Sequence, residues 1–149
     1  MTVDSRLVFQ LLEGIDLFKG FTTDELWSLL EAGVWEKAPA GGKILSAGAL
    51  DLHMYVMVEG RAEVIFNRKV LAVLEAGDAF GEFGLMGQRR SADVVAAEPC
   101  LLLRFNAESL NDLELDLQVK LLKRILVSLM IRLQDVNRHL FWNLRTHWK

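Results

Sequence analysis

Glu82 and Arg90 stand eight residues apart in the segment Gly77-Asp78-Ala79-Phe80-Gly81-Glu82-Phe83-Gly84-Leu85-Met86-Gly87-Gln88-Arg89-Arg90-Ser91-Ala92-Asp93-Val94-Val95-Ala96. A carboxylate accepts hydrogen bonds from sugar hydroxyls, and a guanidinium presents a fork of donors that matches the oxygens of a phosphate. Gly81 and Gly84 lack the side chains that would keep backbone N–H groups from an anion, and the turn between them is expected to offer a helix N-terminus to it. One short piece of chain thus carries both halves of a site for a sugar bearing a cyclic phosphate.

Other chemistry is thin. Of the three histidines, His53, His139 and His147, only His53 falls in the middle of the chain, so a clustered metal site is not expected. The single Cys100, in Pro99-Cys100-Leu101-Leu102-Leu103, reads as a small buried strand residue and excludes a disulfide framework. Asp112, Glu114 and Asp116 read as a solvated helix start that suits the macrodipole. No nucleophile and base share a motif. An enzyme, a metal or a bound cofactor is therefore not expected.

The run from Phe80 to Met86, followed by Arg89 to Ala96, closely resembles the phosphate-binding cassette of the cyclic nucleotide-binding domain, in the form found in the bacterial catabolite activator (Crp/Fnr-like) family. The resemblance extends from about Leu17 to about Leu140. It includes Ala40 to Gly48, Met54 to Val64, and glycines at 41, 48, 60, 77 and 81. It implies that Gly81 and Glu82 hold a ribose hydroxyl and that Arg90 and Ser91 hold the cyclic phosphate, with Gly84 and Ala92 beside them. It implies cyclic AMP as ligand, with cyclic GMP as the alternative. It also brings polar residues of a long C-terminal helix to the adenine, which places Val136 and Asn137 at those positions. Arg89 stands where the family often has proline. Arg90 is the expected phosphate ligand because Arg90-Ser91-Ala92 runs straight into a strand, and Arg89 is the alternative. Asp93 should point outward, since Ala92 and Val94 share the opposite face.

These residues need a scaffold, and the pattern supplies one. Leu7 to about Phe18 and Asp24 to about Glu36 have helical spacing, with Thr22-Thr23-Asp24-Glu25 as a cap and Trp27, Leu29, Leu30 and Val34 as an apolar stripe. From Lys43 to Phe105 short β runs are broken at Gly48, Gly60, Asn67-Arg68-Lys69, Gly77-Asp78 and Glu98-Pro99. The expected fold is mainly β with flanking α-helices, an antiparallel β-barrel or jelly roll, and the resemblance implies the double-stranded β-helix of a cyclic nucleotide-binding domain. Residues 1–149 are expected to form a single domain, with N-terminal helices at about 5–36, the barrel at about 40–106 and C-terminal helices at about 107–145.

Leu115, Val119, Leu122, Leu126, Leu129, Leu133, Val136 and Leu140 recur at alternating spacings of four and three, a heptad seam that suggests a partner helix. A second row, Leu121, Ile125 and Met130, is left to face the barrel. A homodimer through Leu122, Leu126, Leu129, Leu133 and Val136 is expected, with the alternative that the stripe covers the helix's own barrel. The basic, Trp-bearing tail from Arg138 through Phe141, Trp142, Arg145, Trp148 and Lys149 reads as an exposed helix end, with a docking surface for another protein as the alternative.

The 149 residues are 52% apolar with a formal charge of −3, which marks a globular chain and gives no electrostatic case for nucleic acid. No signal peptide or long apolar run is evident, so no membrane association and a cytoplasmic location are expected. A transcription factor of the resembled family carries a helix-turn-helix after the long helix. The chain stops at Lys149, so direct DNA binding by it alone is not expected, whether it is a free-standing sensor or part of a larger regulator. Three readings remain open: a cyclic nucleotide-binding regulatory module that signals through its dimerising helix or a downstream protein partner, the expected one; a barrel with lost or altered ligand acting as a dimeric interaction module, the alternative; and, last, a barrel enzyme.

Overall fold

The computed structural model describes residues 5–147, with side chains of the last helix as far as Arg138. Two helices, α1 (Ser5–Glu13) and α2 (Thr23–Ala32), lead into strands β1 (Gly33–Ala38), β2 (Lys43–Leu45), β3 (His53–Glu59), β4 (Arg61–Phe66), β5 (Lys69–Glu75), β6 (Ala79–Phe80), β7 (Asp93–Ala96) and β8 (Cys100–Asn106). A short α3 (Ala107–Asn111) and the long α4 (Leu115–His147) follow. The strands form two antiparallel sheets, ordered β1-β8-β3-β6 and β2-β7-β4-β5, which face each other as a jelly roll.

The first sheet is the middle layer. Along β3, Met54, Val56 and Val58 turn to a core shared with the helices, while Tyr55 and Met57 turn to the core between the sheets. β8 splits in the same way, with Leu103 and Phe105 toward the helices and Cys100 and Leu102 toward the second sheet. Strands buried on both faces read as unbroken apolar runs, which is why Pro99 to Leu103 shows no alternation in sequence. The edge strand β5 is the opposite case: only Leu74 is buried. The β4–β5 turn is made by Asn67 and Arg68, both left-handed at φ 50° and 64°, as a two-residue primed hairpin requires.

The cap on α2 forms as a reciprocal box: Glu25 N donates to Thr22 Oγ1 at 3.2 Å, and Thr22 N donates to Glu25 Oε1 at 2.8 Å. Both N-terminal helices end earlier than their apolar spacing suggests. α1 stops at Glu13, and a 3-10 turn at Asp16–Phe18 buries Leu17 and Phe18. α2 stops at Ala32, so Val34 is a solvent-facing strand residue and the helix expected to reach Glu36 is corrected to strand from Gly33. The residues of β1 pair in register with β8, from Gly33↔Phe105 to Ala38↔Cys100, and this ladder overrides the weak helical preference of Val34 and Trp35. The β portion therefore spans 33–106.

α4 lies along the helix-facing core through Leu117, Leu121 and Ile125, with Leu129 packed at its margin. Arg124 fastens it to the N-terminal turn by donating from Nε to Leu17 O at 3.2 Å, and Lys120 pairs with Glu25 at 2.7 Å. Met130, expected to face the barrel, is 52% exposed. Nine residues at 100° each place it about 180° round the helix from Leu121. The seam residues Leu122, Leu126, Leu133 and Val136 are exposed, whereas Leu129 sits at the edge of the barrel-facing stripe. Leu140 and the tail side chains Phe141, Trp142, Arg145, Trp148 and Lys149 lie outside the described residues. Among the described residues no helix is long and apolar enough to cross a membrane.

Candidate functional site

The segment from Gly81 to Ser91 wraps one end of the jelly roll. It begins after β6, forms a 3-10 turn over Glu82–Met86 and returns as β7. A cavity of about 400 Å³ opens between this segment, strands β4 and β5 and the helix α4. Gly81, Glu82, Arg90, Ser91 and Ala92 all line it, with Leu45, Val64, Leu74, Phe80 and Val94 as an apolar floor and Arg132 as the helix residue at its wall. Five of the seven residues singled out in sequence are thus gathered round one concavity whose shape suits an amphipathic small molecule.

Arg90 is the buried arginine of the pair, 4% exposed. Its Nη1 donates to Gly81 O and its Nη2 to His53 O, while Nη2 also approaches Asp51 Oδ2 at 3.6 Å. Its Nε is buried without a hydrogen-bond partner, a donor that an anion's oxygen would satisfy. Arg89 is exposed and donates from Nη1 to Gly48 O at 3.0 Å. The backbone holds this end as a ladder, with Gly48 N donating to Arg90 O at 2.8 Å and Arg90 N donating to Ala49 O at 2.9 Å.

Asp51 and His53, just before and at the start of β3, stand behind Arg90; sequence reasoning did not assign them a role. Asp51 Oδ1 hydrogen-bonds His53 Nδ1 and accepts from His53 N at 3.1 Å. Burial would raise the Asp51 carboxyl, but the His53 hydrogen bond and the charges of His53 and Arg90 outweigh it and hold it below the usual range. Phe80 of the cavity floor stacks on Tyr55 of the core behind it at 5.3 Å, and burial, with the nearby Asp51 and Glu36 carboxylates, pushes the Tyr55 phenol up to about 12. It remains a neutral packing residue.

Gly84 does not line the cavity. A Cβ there would sit 2.3 Å from Asp51 O and 2.5 Å from His53 O, so its role is to let the turn press against the backbone leading into β3. Its N–H donates to Gly81 O at 3.0 Å and is spent within the turn. The segment between Gly81 and Gly87 is a five-residue 3-10 turn, Glu82–Met86. Gly81 does adopt a left-handed backbone, at φ 76°, and an added Cβ would meet Arg90 Nη1 at 3.0 Å. Asp93 turns away from the cavity: its Oδ1 accepts from Ala47 N at 2.7 Å and its Oδ2 lies 3.6 Å from Lys43 Nζ.

The long helix contributes Arg132 rather than Asn137. Arg132 Nη1 lies 3.7 Å from Glu82 Oε1, and Nη2 donates to Ala79 O. Asn137 is exposed and does not line the cavity; five residues on, it is about 140° round the helix from Arg132. The signal for Arg132 was present in the sequence, because it falls on the stripe of Leu121, Ile125 and Ser128 where an apolar residue is otherwise expected. Among the described residues no group of three or more His, Cys, Asp or Glu is placed to hold a metal ion.

The arrangement has clear relatives. Residues 35–115, more than half of the chain, match the cyclic nucleotide-binding domain family. The cyclic nucleotide-gated channel beta-3 of Mus musculus is 31% identical over 112 residues, which cover 70% of this chain and 16% of the channel. Among solved structures, a cyclic nucleotide-binding domain from Methylobacillus flagellatus superposes with a TM-score of 0.80 at 24% identity, covering 93% of this chain and 83% of that one. The catabolite activator protein of Thermus thermophilus gives 0.71 at 26% identity, covering 85% and 62%. With the family matched across the jelly roll and the cassette residues gathered at one cavity, the chain belongs to the cyclic nucleotide-binding domain family.

Proposed function

We propose that this chain is a regulatory module that binds a cyclic nucleotide, cyclic AMP in preference to cyclic GMP, in the cavity beside Arg90 and Glu82. One observation carries the reading: a buried guanidinium with a partnerless Nε and a carboxylate line the same cavity of about 400 Å³, which has an apolar floor. The cyclic phosphate meets Arg90 and the Ser91 side of the segment, where a charge-assisted fork replaces its hydration. Gly81 and Glu82 receive the ribose, with the carboxylate accepting from a hydroxyl. Gly84 and Ala92 support the turn and the strand that hold them. The base lies toward α4. Asn137 stands on the seam side of that helix, so it would read a base only across a paired helix.

The seam on α4 is the proposed route to output. Leu122, Leu126, Leu133 and Val136 expose an apolar row that a second copy would bury, giving a homodimer, with Leu129 at its margin. Residues 1–149 act as one cytoplasmic unit, without catalysis, membrane insertion or direct nucleic-acid contact, and a downstream protein reads the change. Ligand shifts the position of α4 only by its differential affinity for the two arrangements. A thermal-shift screen of cyclic AMP, cyclic GMP and cyclic dinucleotides tests the reading. A ligand at a hundred times its Kd should add about 2.7 kcal/mol of stability. A flat screen would favour the alternative, a dimeric interaction module with altered ligand.

A further inference from the structure

The chain is charged in opposite senses at the two ends of α4. From Asn111 to Val119 it carries Asp112, Glu114 and Asp116 and no cation, whereas after Asp135 it carries Arg138, Arg145 and Lys149 and no carboxylate. Between these ends the exposed apolar row runs through Leu115, Val119, Leu122, Leu126, Leu133 and Val136. Beside the acidic end lies an apolar groove of about 210 Å³, lined by Leu85, Met86, Leu110, Leu113 and Leu122 among others. Leu122 belongs to both, so the groove continues the row.

We infer that the occupant of this face is a second copy of the chain whose α4 runs in the opposite direction. This deepens the homodimer of the proposed function and rests on that reading. A parallel pair would set acidic end against acidic end and basic end against basic end, and each groove would face its own counterpart. An antiparallel pair sets each acidic start against the partner's basic end. With Leu126 opposite the partner's Leu129 the apolar positions stay in step: Leu122 meets the partner's Leu133 and Val119 meets the partner's Val136. The groove then faces the stretch of the partner's helix that bears Phe141 and Trp142. Asp116 and Arg138 stand about 80° and 120° round α4 from Leu126, on the side away from Leu121 and Ile125, which hold the barrel. In this register the partner's Arg138 comes within one residue of the position facing Asp116, and symmetry makes the pairing twice.

Disulfide trapping on the full chain reads the direction. Leu122→Cys and Leu133→Cys are made as single variants at two exposed positions, with the buried Cys100 left in place. Parallel helices put each introduced thiol beside its own counterpart, whereas antiparallel helices hold like positions about 16 Å apart along the axis, beyond the roughly 7 Å that a disulfide spans between Cα atoms. Mild oxidation of either variant alone should therefore give no covalent dimer. The two variants mixed should give one, linked between positions 122 and 133 by peptide mass spectrometry. Charge exchange supplies a second readout: Arg138→Glu should weaken self-association about tenfold in sedimentation equilibrium, and adding Asp116→Arg should restore it. The two positions are about 33 Å apart on one helix, so the rescue acts only between copies. With wild type dimeric, a covalent dimer from either variant alone, no cross-link in the mixture, or no rescue would overturn the antiparallel pairing and leave the homodimer standing. A monomeric wild type would remove both.

Discussion

Arg90 and Gly81, nine residues apart, close the cassette on itself: Arg90 Nη1 donates to Gly81 O while its Nη2 donates to His53 O in β3. The residue assigned to the phosphate is thus also what fixes the loop to the sheet. Arg90→Ala would strip two carbonyls of their donor and remove the guanidinium beside Asp51, so it should lower stability by about 1–3 kcal/mol. Arg89→Ala, which removes one exposed contact to Gly48 O, should change stability by less than about 0.5 kcal/mol. Urea denaturation of both variants checks the order, and equal effects would contradict it.

Gly84 offers a cleaner test of the packing behind the site. Its missing Cβ faces two backbone carbonyls, Asp51 O and His53 O, which are held by the chain and not by a flexible side chain. Gly84→Ala should therefore destabilise by about 1–3 kcal/mol and widen the turn, as overpacking does. Thermal unfolding of the variant, with a Tm at or above wild type, would show that the turn has slack.

The cassette was legible in sequence because its chemistry is local. Gly81, Glu82, Arg90, Ser91 and Ala92 lie within one turn and the segment leading from it into β7, and the structure gathers them at one cavity. The helix cap at Thr22 and Glu25 was legible for the same reason. What sequence missed depends on tertiary pairing. Residues 33–36 continue the helical spacing of α2, but the neighbouring β8 supplies a ladder that the local pattern does not reveal. Arg132 was missed because its place is set by which face of α4 meets the barrel. Met130 was assigned to that face although the 3.6-residue period carries it to the other side.

The exposed row on α4 carries the assembly prediction. Leu129 packs against the barrel core, so it would confuse association with folding. Leu126 is 57% exposed and separates the two. Leu126→Glu would bury an unpaired charge in a dimer and leave it solvated in a monomer. Sedimentation equilibrium should show a dimeric wild type and a monomeric, folded variant. Wild type that is already monomeric at high micromolar concentration would remove the seam.

Asp51 sets an acid limit. Its carboxyl is held below its ordinary value of 3.8, so it binds fewer protons folded than unfolded in that window. Its contribution is fully present above the unfolded value and is lost as pH falls through the lower folded value. Asp51→Asn should be less stable than wild type near neutrality, and the gap should close below about pH 4. Denaturation midpoints across pH 2–7 check this, and a gap that stays constant with pH would contradict it.

The most direct measurement is titration calorimetry of cyclic AMP into wild type and Arg90→Ala. Wild type should bind at one site per chain. Arg90→Ala should bind at least about a hundredfold more weakly, since a buried phosphate deprived of its cation loses about 3–5 kcal/mol by analogy with broken buried ion pairs. Glu82→Ala, whose side chain is not needed for the loop closure, should weaken binding roughly tenfold or more through loss of a charge-assisted hydrogen bond. No saturable heat from wild type with any cyclic nucleotide at millimolar concentration, or equal affinity in wild type and both variants, would contradict the assignment of this cavity.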